Sequence, residues 1–325
     1  MFNVDVIRRE NTWVIYNEYK DKKIEIDNEI YKDLFQDSML NKESEYFSFL
    51  LKERFFEKDT SLPTFEKINE RIFENDIKNS DIVLLGIPYD AGSTGITGSK
   101  DAINKIRFET LKNKRILNVY DLQNILYIPG ESIEEFHNRV EEGYRKIHVN
   151  NDKIISIGGD HSISYPIVKS FNQQMEINFF KFDAHHDSHI LRSFERINHS
   201  NFMNFIRMLK NIKKIYHLGM REAGFENISE KDNFCEKIES KKNKREHAYI
   251  SIDVDVLDPK IFQATGFLLK DGEQPEFIFR NLERIFNNYN VIGIDIVEYN
   301  PLIDNNKNFE VVLDILEFCI SHWKG

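Results

Sequence analysis

Short apolar runs that are closely followed by aspartate or histidine are the feature of this sequence that most restricts its fold. Residues 154–157, 177–180 and 249–252 are rich in β-branched and aromatic side chains, and acidic or imidazole side chains follow closely after each run. Continuous runs of this kind are typical of strands buried on both faces of a parallel sheet. Helix-like stretches such as 132–147 and 275–287 lie between strands. The pattern predicts an α/β fold whose sheet is covered by helices on both faces.

The sequence predicts two regions joined by a linker. Residues 81–325 repeat the strand-loop-helix pattern and form the predicted main domain, whereas residues 58–80 are charged and connect it to an N-terminal extension, residues 1–57. The predicted strands of the main domain are 82–85, 116–120, 154–157, 177–182, 214–218, 249–254 and 291–296.

Side chains that bind metal ions follow these strands at alternate positions. Asp183, His185 and Asp187 are two residues apart, as are Asp253 and Asp255. Residues two apart on an extended chain point to the same side, so each set converges on one point. The ligand crevice of an open α/β sheet lies at the carboxyl ends of its strands, where these residues fall. The segments that supply the side chains are 158–162, 183–187, 251–255 and 295–298. We therefore predict a site for two neighbouring metal ions.

The ligand types indicate a harder divalent ion. Carboxylates and imidazoles suit manganese, and the two cysteines, Cys235 and Cys319, are not placed to add thiolate ligands. In two-metal sites the ions lie about 3.5–4 Å apart, share carboxylates and generate hydroxide from water near neutral pH. A structural metal site is the alternative, but such sites favour closed thiolate or imidazole shells. A catalytic centre fits the residues better.

Composition excludes several other classes of protein. The formal net charge is -10 and the basic residues are scattered, so neither nucleic acid nor an anionic membrane is an expected partner. No apolar stretch reaches the roughly 20 residues that span a bilayer, and the N-terminus lacks the features of a signal peptide. The pair Gly158-Gly159 is followed by aspartate, which disfavours dinucleotide binding. We expect a cytoplasmic protein.

Three motifs, in this order, resemble the signatures of the ureohydrolase family, which includes arginase, agmatinase and formiminoglutamase. They are Gly-Gly-Asp-His-Ser from residue 158, Asp-Ala-His-x-Asp from residue 183, and Ser-x-Asp-x-Asp-x-x-Asp-Pro from residue 251. The resemblance extends over residues 81–320. It implies a three-layer α/β/α fold with a mostly parallel, eight-stranded sheet, and two Mn²⁺ ions. It also implies hydrolysis of a guanidino group to an amine and urea.

The resemblance further implies a role for each site residue. The first ion would take His161 and Asp187, the second His185 and Asp255, and both would share Asp183 and Asp253. Asp187 would also orient the attacking hydroxide. Glu298 would receive the guanidinium group, for which a carboxylate is the matching acceptor. His199 would give a proton to the leaving amine, because its ordinary pKa lies near neutrality.

Two loops depart from the family pattern and bear on the substrate. Residues 264–272 replace a Gly-Thr-Gly-[Thr/Val]-Pro loop, and residues 188–198 lack the Asn and Ser pattern with which arginases hold a free amino acid. Free arginine is therefore a doubtful substrate. The favoured substrate is an arginine side chain within a peptide, converted to ornithine.

The N-terminal extension supports the same expectation. Its predicted strands 13–16 and 23–26 and helices 28–36 and 44–56 resemble the small domains that grip leader peptides through a strand edge. A packed extension with no binding role is the competing interpretation. The alternatives for the whole chain are an agmatinase or arginase acting on a small free guanidine, a formiminoglutamase, or a catalytically silent binding or regulatory subunit. The resembling family also makes a homo-oligomer possible.

Overall fold

The chain divides into two compact units, Met1–Pro63 and Thr64–Gly325. The computed structural model describes residues 5–8, 12–17, 22–36, 39–40, 44, 46, 82–113, 115, 117, 119–148, 153–189, 196–224, 228–239 and 246–323. The predicted linker 58–80 and nearly all of the predicted helix 44–56 lie outside these residues.

The N-terminal unit is built on a small antiparallel sheet. Its strands are β1 (Asp5–Arg8), β2 (Thr12–Asn17) and β3 (Lys22–Asp27), in that spatial order, followed by helix α1 (Asn28–Leu34) and the two-stranded pair β4 (Phe35–Gln36) and β5 (Met39–Leu40). The side chain of Asp27 caps α1 by accepting two backbone N–H bonds. The Trp13 ring stacks on Tyr31 with centroids 3.7 Å apart. The predicted strands 13–16 and 23–26 are confirmed, whereas β1 was missed and α1 ends two residues early.

The second unit contains an eight-stranded sheet in which every neighbouring pair is parallel. Its strands are β6 (Val83–Ile87), β7 (Tyr120–Asn124), β8 (Ile154–Gly158), β9 (Ile177–Phe182), β10 (Ile212–Leu218), β11 (Asp232–Phe234), β12 (His247–Asp253) and β13 (Asn290–Val297). Their spatial order is β11-β10-β9-β12-β13-β8-β6-β7. Among the described helices of this unit are α2 (Ala102–Lys112), α3 (Ile133–His148), α4 (Ser164–Ser170), α5 (Phe202–Met208), α6 (Pro275–Asn288) and α7 (Phe309–Trp323).

Two separate apolar clusters show how the helices are layered. Buried side chains of α2, α6 and α7 pack together with one set of sheet residues, and those of α3, α4 and α5 pack with the other set. Alternate residues of a buried strand point to opposite faces, which is why β8 contributes Ile155 to the first cluster and Ile154 to the second. The predicted three-layer α/β/α fold is confirmed.

Two strand predictions need correction. The strand predicted at 116–120 is wrong in its bounds, because β7 begins at Tyr120 and runs to Asn124. Leu117 and Val119, which are described, precede it with their side chains buried in the core. The edge strand β11 was missed because it is only three residues long and polar. It pairs with β10 alone among the strands that the structure describes.

The topology brings the predicted site residues to one edge of the sheet. Strands β9, β12, β13 and β8 are consecutive neighbours in the centre, and one of the predicted segments lies at the carboxyl end of each. All four run in the same direction, so their carboxyl ends meet. No described helix is long and apolar enough to cross a bilayer.

Candidate active site

The loop after β8 is held against two neighbouring loops by backbone contacts. At Gly159 there is no room for a side chain, because a Cβ atom there would lie 1.6 Å from the carbonyl oxygen of Tyr89. The carbonyl oxygen of Gly159 accepts the backbone N–H of Glu298 at 2.9 Å. The side chain of Asp160 accepts the N–H groups of Ser162 and Gly92, which fixes the turn that presents the next residue, His161.

One group of site residues surrounds the His161 ring. Its Nδ1 atom lies 3.0 Å from Asp183 Oδ2, 3.1 Å from Asp253 Oδ2 and 3.2 Å from Asp187 Oδ2. All four side chains are buried or nearly so. The three carboxylates come from the ends of β9 and β12 and from the loop after β9, so the structure brings together residues that lie up to 92 positions apart in the sequence.

A second group shares Asp183 with the first. His185 Nδ1 lies 2.7 Å from Asp255 Oδ2 and 3.6 Å from Asp183 Oδ1. The backbone N–H of His185 also donates to Asp183 Oδ1 at 2.5 Å, and that of Ala184 donates to Asp255 Oδ1 at 3.0 Å. All six predicted metal ligands therefore lie in two adjoining groups. Within each group three side chains have donor atoms close enough together to hold a cation.

A chain of hydrogen bonds fixes which nitrogen of His161 faces the carboxylates. The Ser251 hydroxyl donates to Asp295 Oδ1 at 2.7 Å, so it accepts from His161 Nε2 at 2.8 Å. The Tyr249 hydroxyl donates to the other oxygen of Asp295. This places a ring proton on Nε2 and turns Nδ1 toward three carboxylates, so that the lone pair of Nδ1 in the neutral ring would be available to a metal ion, as is typical of a metal-binding histidine. Nδ1 makes no hydrogen bond to any described residue.

The electrostatics of the two groups also favour a cation between them. Burial and then the neighbouring charge of Asp255 raise the pKa of Asp253 well above its ordinary value. Burial lowers the pKa of His161, but the carboxylates of Asp183 and Asp187 outweigh it and raise that pKa above its usual range. Both pKa shifts reflect the same crowding of negative charge, which a bound cation would also offset. The residues present fit a pair of divalent ions.

Glu298 and His199 lie together beside the two candidate metal-binding groups. Glu298 Oε1 accepts the backbone N–H of His161 at 2.9 Å and lies 3.4 Å from His199 Nδ1. The backbone N–H of Thr94 donates to His199 Nε2 at 3.0 Å, so Nε2 accepts and the ring proton lies on Nδ1, toward Glu298. Burial lowers the pKa of His199, but Glu298 raises it above its ordinary value. Glu298 also has a left-handed φ of 65°, which is strained for a residue with a long side chain.

These residues line a cavity of about 390 Å³. The predicted site residues in its wall are His161, His185, Asp187, His199, Asp253, Asp255 and Glu298. Residues in its wall to which the sequence assigned no role are Thr94, His189, Ser200, Glu222, Thr265 and Phe267. Of these, Phe267 could have been anticipated, since it falls in the altered loop 264–272, whereas Glu222 follows β10 with no motif to mark it. The volume suits a small molecule or side chain, and the carboxylates of the wall favour a cationic group.

The chain matches known proteins over the unit that carries this site. Residues 80–317 match the arginase family. The agmatinase of Blochmanniella floridana is 24% identical over 253 residues, which cover 70% of this chain and 82% of that protein. Mitochondrial arginase 1 of Arabidopsis thaliana is 25% identical over 259 residues, 68% of this chain and 74% of that protein. The solved agmatine ureohydrolase of Thermoplasma volcanium has a TM-score of 0.66 at 23% identity, with 80% of this chain and 95% of that chain covered.

The range of the family match, residues 80–317, spans both candidate metal-binding groups as well as His199 and Glu298. Members of this family use a binuclear metal centre, for which the geometry above supplies two adjoining sets of donor atoms. The chain belongs to the arginase family of ureohydrolases and is a hydrolase that acts on the carbon–nitrogen bonds of guanidino groups.

Proposed function

We propose that this protein is a manganese-dependent ureohydrolase whose substrate is an arginine side chain within a peptide. Two Mn²⁺ ions, when bound, supply a hydroxide nucleophile at neutral pH. The first ion would be held by His161 and Asp187, the second by His185 and Asp255, and both by Asp183 and Asp253. The distances of 3.0–3.2 Å from His161 to Asp183, Asp187 and Asp253, and of 2.7–3.6 Å from His185 to Asp255 and Asp183, support two ligand sets with Asp183 in common.

The chain's own residues would bind and protonate the substrate. The Glu298 carboxylate would pair with the guanidinium group, and its anchoring by the His161 N–H supports a fixed orientation toward the cavity. Asp187 would accept a hydrogen bond from the nucleophile and orient it. His199, whose Nδ1 proton lies toward Glu298, would pass a proton to the leaving amine and complete the release of urea and ornithine.

The mouth of the cavity supports a substrate without free amino-acid charges. Phe267 lines the cavity, is 38% exposed and has its ring 5.2 Å from the His199 ring, and the next residue in the chain, Leu268, is 45% exposed. An apolar rim favours the backbone and neighbouring side chains of a peptide over the α-ammonium and α-carboxylate of free arginine.

The observation that carries the peptide assignment is the N-terminal sheet. The family match begins at residue 80, so this unit lies outside the part of the chain that the family match covers. Among the described residues, β3 pairs with β2 only and has an open edge. An open strand edge recognises extended peptides through backbone hydrogen bonds. Agmatine is the second candidate, because relatives named agmatinases match this chain.

A urea-release screen with added Mn²⁺ tests the proposal. The panel is free arginine, agmatine, arginine capped at both ends, and peptides with arginine inside a longer chain. We expect capped and peptide arginine to have higher kcat/KM than free arginine. Removal of residues 1–57, with folding checked by circular dichroism, should raise KM for the longest peptides and leave capped arginine unchanged. Efficient agmatine hydrolysis with inert peptides would overturn the substrate, and no urea from any compound at full metal loading would favour a silent subunit.

A further inference from the structure

A lysine is buried inside the metal-binding region. Lys181 lies in β9, two residues before Asp183, and its side chain is fully buried. Residues two apart on a strand share a side of the sheet, so Lys181 is directed toward the same region as the Asp183 carboxylate. A lysine is almost never fully buried unless it is paired. Its partners therefore indicate its role.

Those partners are oxygens of the metal-binding groups. The Lys181 Nζ atom lies 2.7 Å from Asp183 Oδ2 and 2.8 Å from Asp187 Oδ2. It also donates to the carbonyl oxygen of His185 at 2.7 Å. The Phe202 ring, whose centroid is 5.8 Å from Nζ, covers the group. Three close oxygens, two of them on carboxylates, make this the environment of an ammonium ion.

Lys181 and the proposed first ion depend on the same two oxygens. Asp183 Oδ2 and Asp187 Oδ2 are the atoms that lie 3.0 and 3.2 Å from His161 Nδ1. A carboxylate–metal bond is about 2–2.5 Å long, so an ion on either oxygen would lie no more than about 5 Å from Nζ. Repulsion between the single charge of Lys181 and the double charge of an ion at about 5 Å would weaken binding of that ion more than tenfold, even at the dielectric constant of water.

The second proposed ion is less exposed to this charge. Of its proposed ligands, Lys181 contacts only Asp183 through a side-chain oxygen, and it reaches His185 at the backbone carbonyl rather than the ring. Asp255 is instead paired with the His185 ring and with the N–H of Ala184. The positive charge of Lys181 would therefore repel an ion at the first site more strongly than an ion at the second.

We propose that Lys181 is a positioning residue that makes the two metal sites unequal. Its ammonium group holds Asp183 and Asp187 in place and weakens the binding of the first ion, which becomes the exchangeable one. This inference rests on the proposed two-manganese function. Asp183 stays oriented without the lysine, because Oδ1 accepts the backbone N–H of His185, so the loss of charge should dominate over the loss of positioning.

Manganese titration of the metal-free, full-length protein tests the inference. Binding is followed by calorimetry and by the electron paramagnetic resonance signal of free Mn²⁺. We expect the wild type to bind two ions with dissociation constants at least tenfold apart. Lys181→Met, which keeps the length and removes the charge, should tighten the weaker site at least tenfold and change the stronger one less than threefold. Lys213→Met is the matched control, since this lysine pairs with Glu176 on the exposed part of β10.

The direction of the change in Mn²⁺ affinity distinguishes the loss of the lysine charge from structural damage. Structural damage weakens metal binding, whereas removal of a repelling charge strengthens it. Unchanged or weaker binding in Lys181→Met, or equal affinities in the wild type, would overturn the inference while leaving two-metal function intact. If the methionine variant does not fold, Lys181→Gln is titrated with the same expectations. Failure of both to fold would assign Lys181 to stability alone and also overturn the inference, and a wild type that binds no Mn²⁺ would end the proposed function itself.

Discussion

Substitution of Glu298 tests how the cavity recognises a guanidinium group. The residue is 6% exposed, and its Oε1 atom accepts the backbone N–H of His161 at 2.9 Å. Glu298→Gln keeps an oxygen that can accept this bond and has nearly the same shape. It removes the negative charge that faces the cavity. The variant therefore separates recognition of a cation from support of the neighbouring loop.

The size of the effect follows from the charge that is lost. A hydrogen bond to a charged group contributes about 1.5–3 kcal/mol, which corresponds to a fall in kcat/KM of about 10- to 150-fold. The free energy of unfolding of Glu298→Gln should not fall together with its kcat/KM. Burial and then the charge of Glu298 raise the pKa of Asp160 to about 7, so the neutral amide removes a repulsion between buried groups. We expect an unchanged or higher melting temperature and full metal content.

The assay is steady-state urea release, with metal content measured on the same samples. Glu222→Gln is the matched control, because Glu222 also lines the cavity but contacts the backbone N–H of His186 rather than the loop of His161. A Glu298→Gln enzyme within threefold of the wild type would refute the recognition role. An equal loss in both variants would show that the cavity responds to its total negative charge and not to one residue.

Three further predictions concern metal affinity, pH and the cavity mouth. Ser251→Ala removes the acceptor that orients His161, so Mn²⁺ affinity should fall about 10- to 100-fold by calorimetry, and an unchanged affinity would contradict the hydrogen-bond chain. Burial and then Lys169 lower the pKa of His137 to about 3. Protonation of His137 therefore favours the unfolded state, in which its pKa has the ordinary value near 6.5. The free energy of unfolding, measured with urea, should fall by up to about 5 kcal/mol between about pH 6.5 and pH 3 because of this residue, and the fall should be smaller in His137→Gln. Phe267→Ala should lower kcat/KM about tenfold for peptide arginine but less for agmatine, and parallel losses would remove this residue from substrate selection.

Much of this architecture was predictable because strand burial leaves a clear signal in the sequence. Runs such as 154–157 and 177–182 carry apolar side chains for both faces of the sheet, and alternation of Asp183, His185 and Asp187 marked the site. The polar strand β11 carries no such signal, and it forms because β10 offers a neighbouring edge. The start of β7 depends on where Leu117 and Val119 find space in the core, which local pattern does not determine.

The site residues that escaped prediction are those placed by contacts distant in sequence. Lys181 does carry a signal, since it is the one charged residue in the run 177–182. Its role nevertheless depends on the loop that returns Asp187 to within 2.8 Å of its Nζ atom. Glu222 and Phe267 come from separate loops that meet only at the cavity. No spacing rule joins them, because the sheet order and not the sequence order makes them neighbours.

Gly159 and His161, which belong to the same short motif, serve different purposes: the glycine is needed for the fold and the histidine for the metal centre. A Cβ atom on Gly159 would overlap the carbonyl oxygen of Tyr89, so this glycine is required for two loops to pass each other, with or without metal. His161, two residues later, has donor atoms whose arrangement serves a cation. A chain that keeps the glycine and replaces the histidine would therefore retain the fold and lose the centre. His161, rather than the glycine pair, is therefore the position that would distinguish catalytically active relatives from inactive ones.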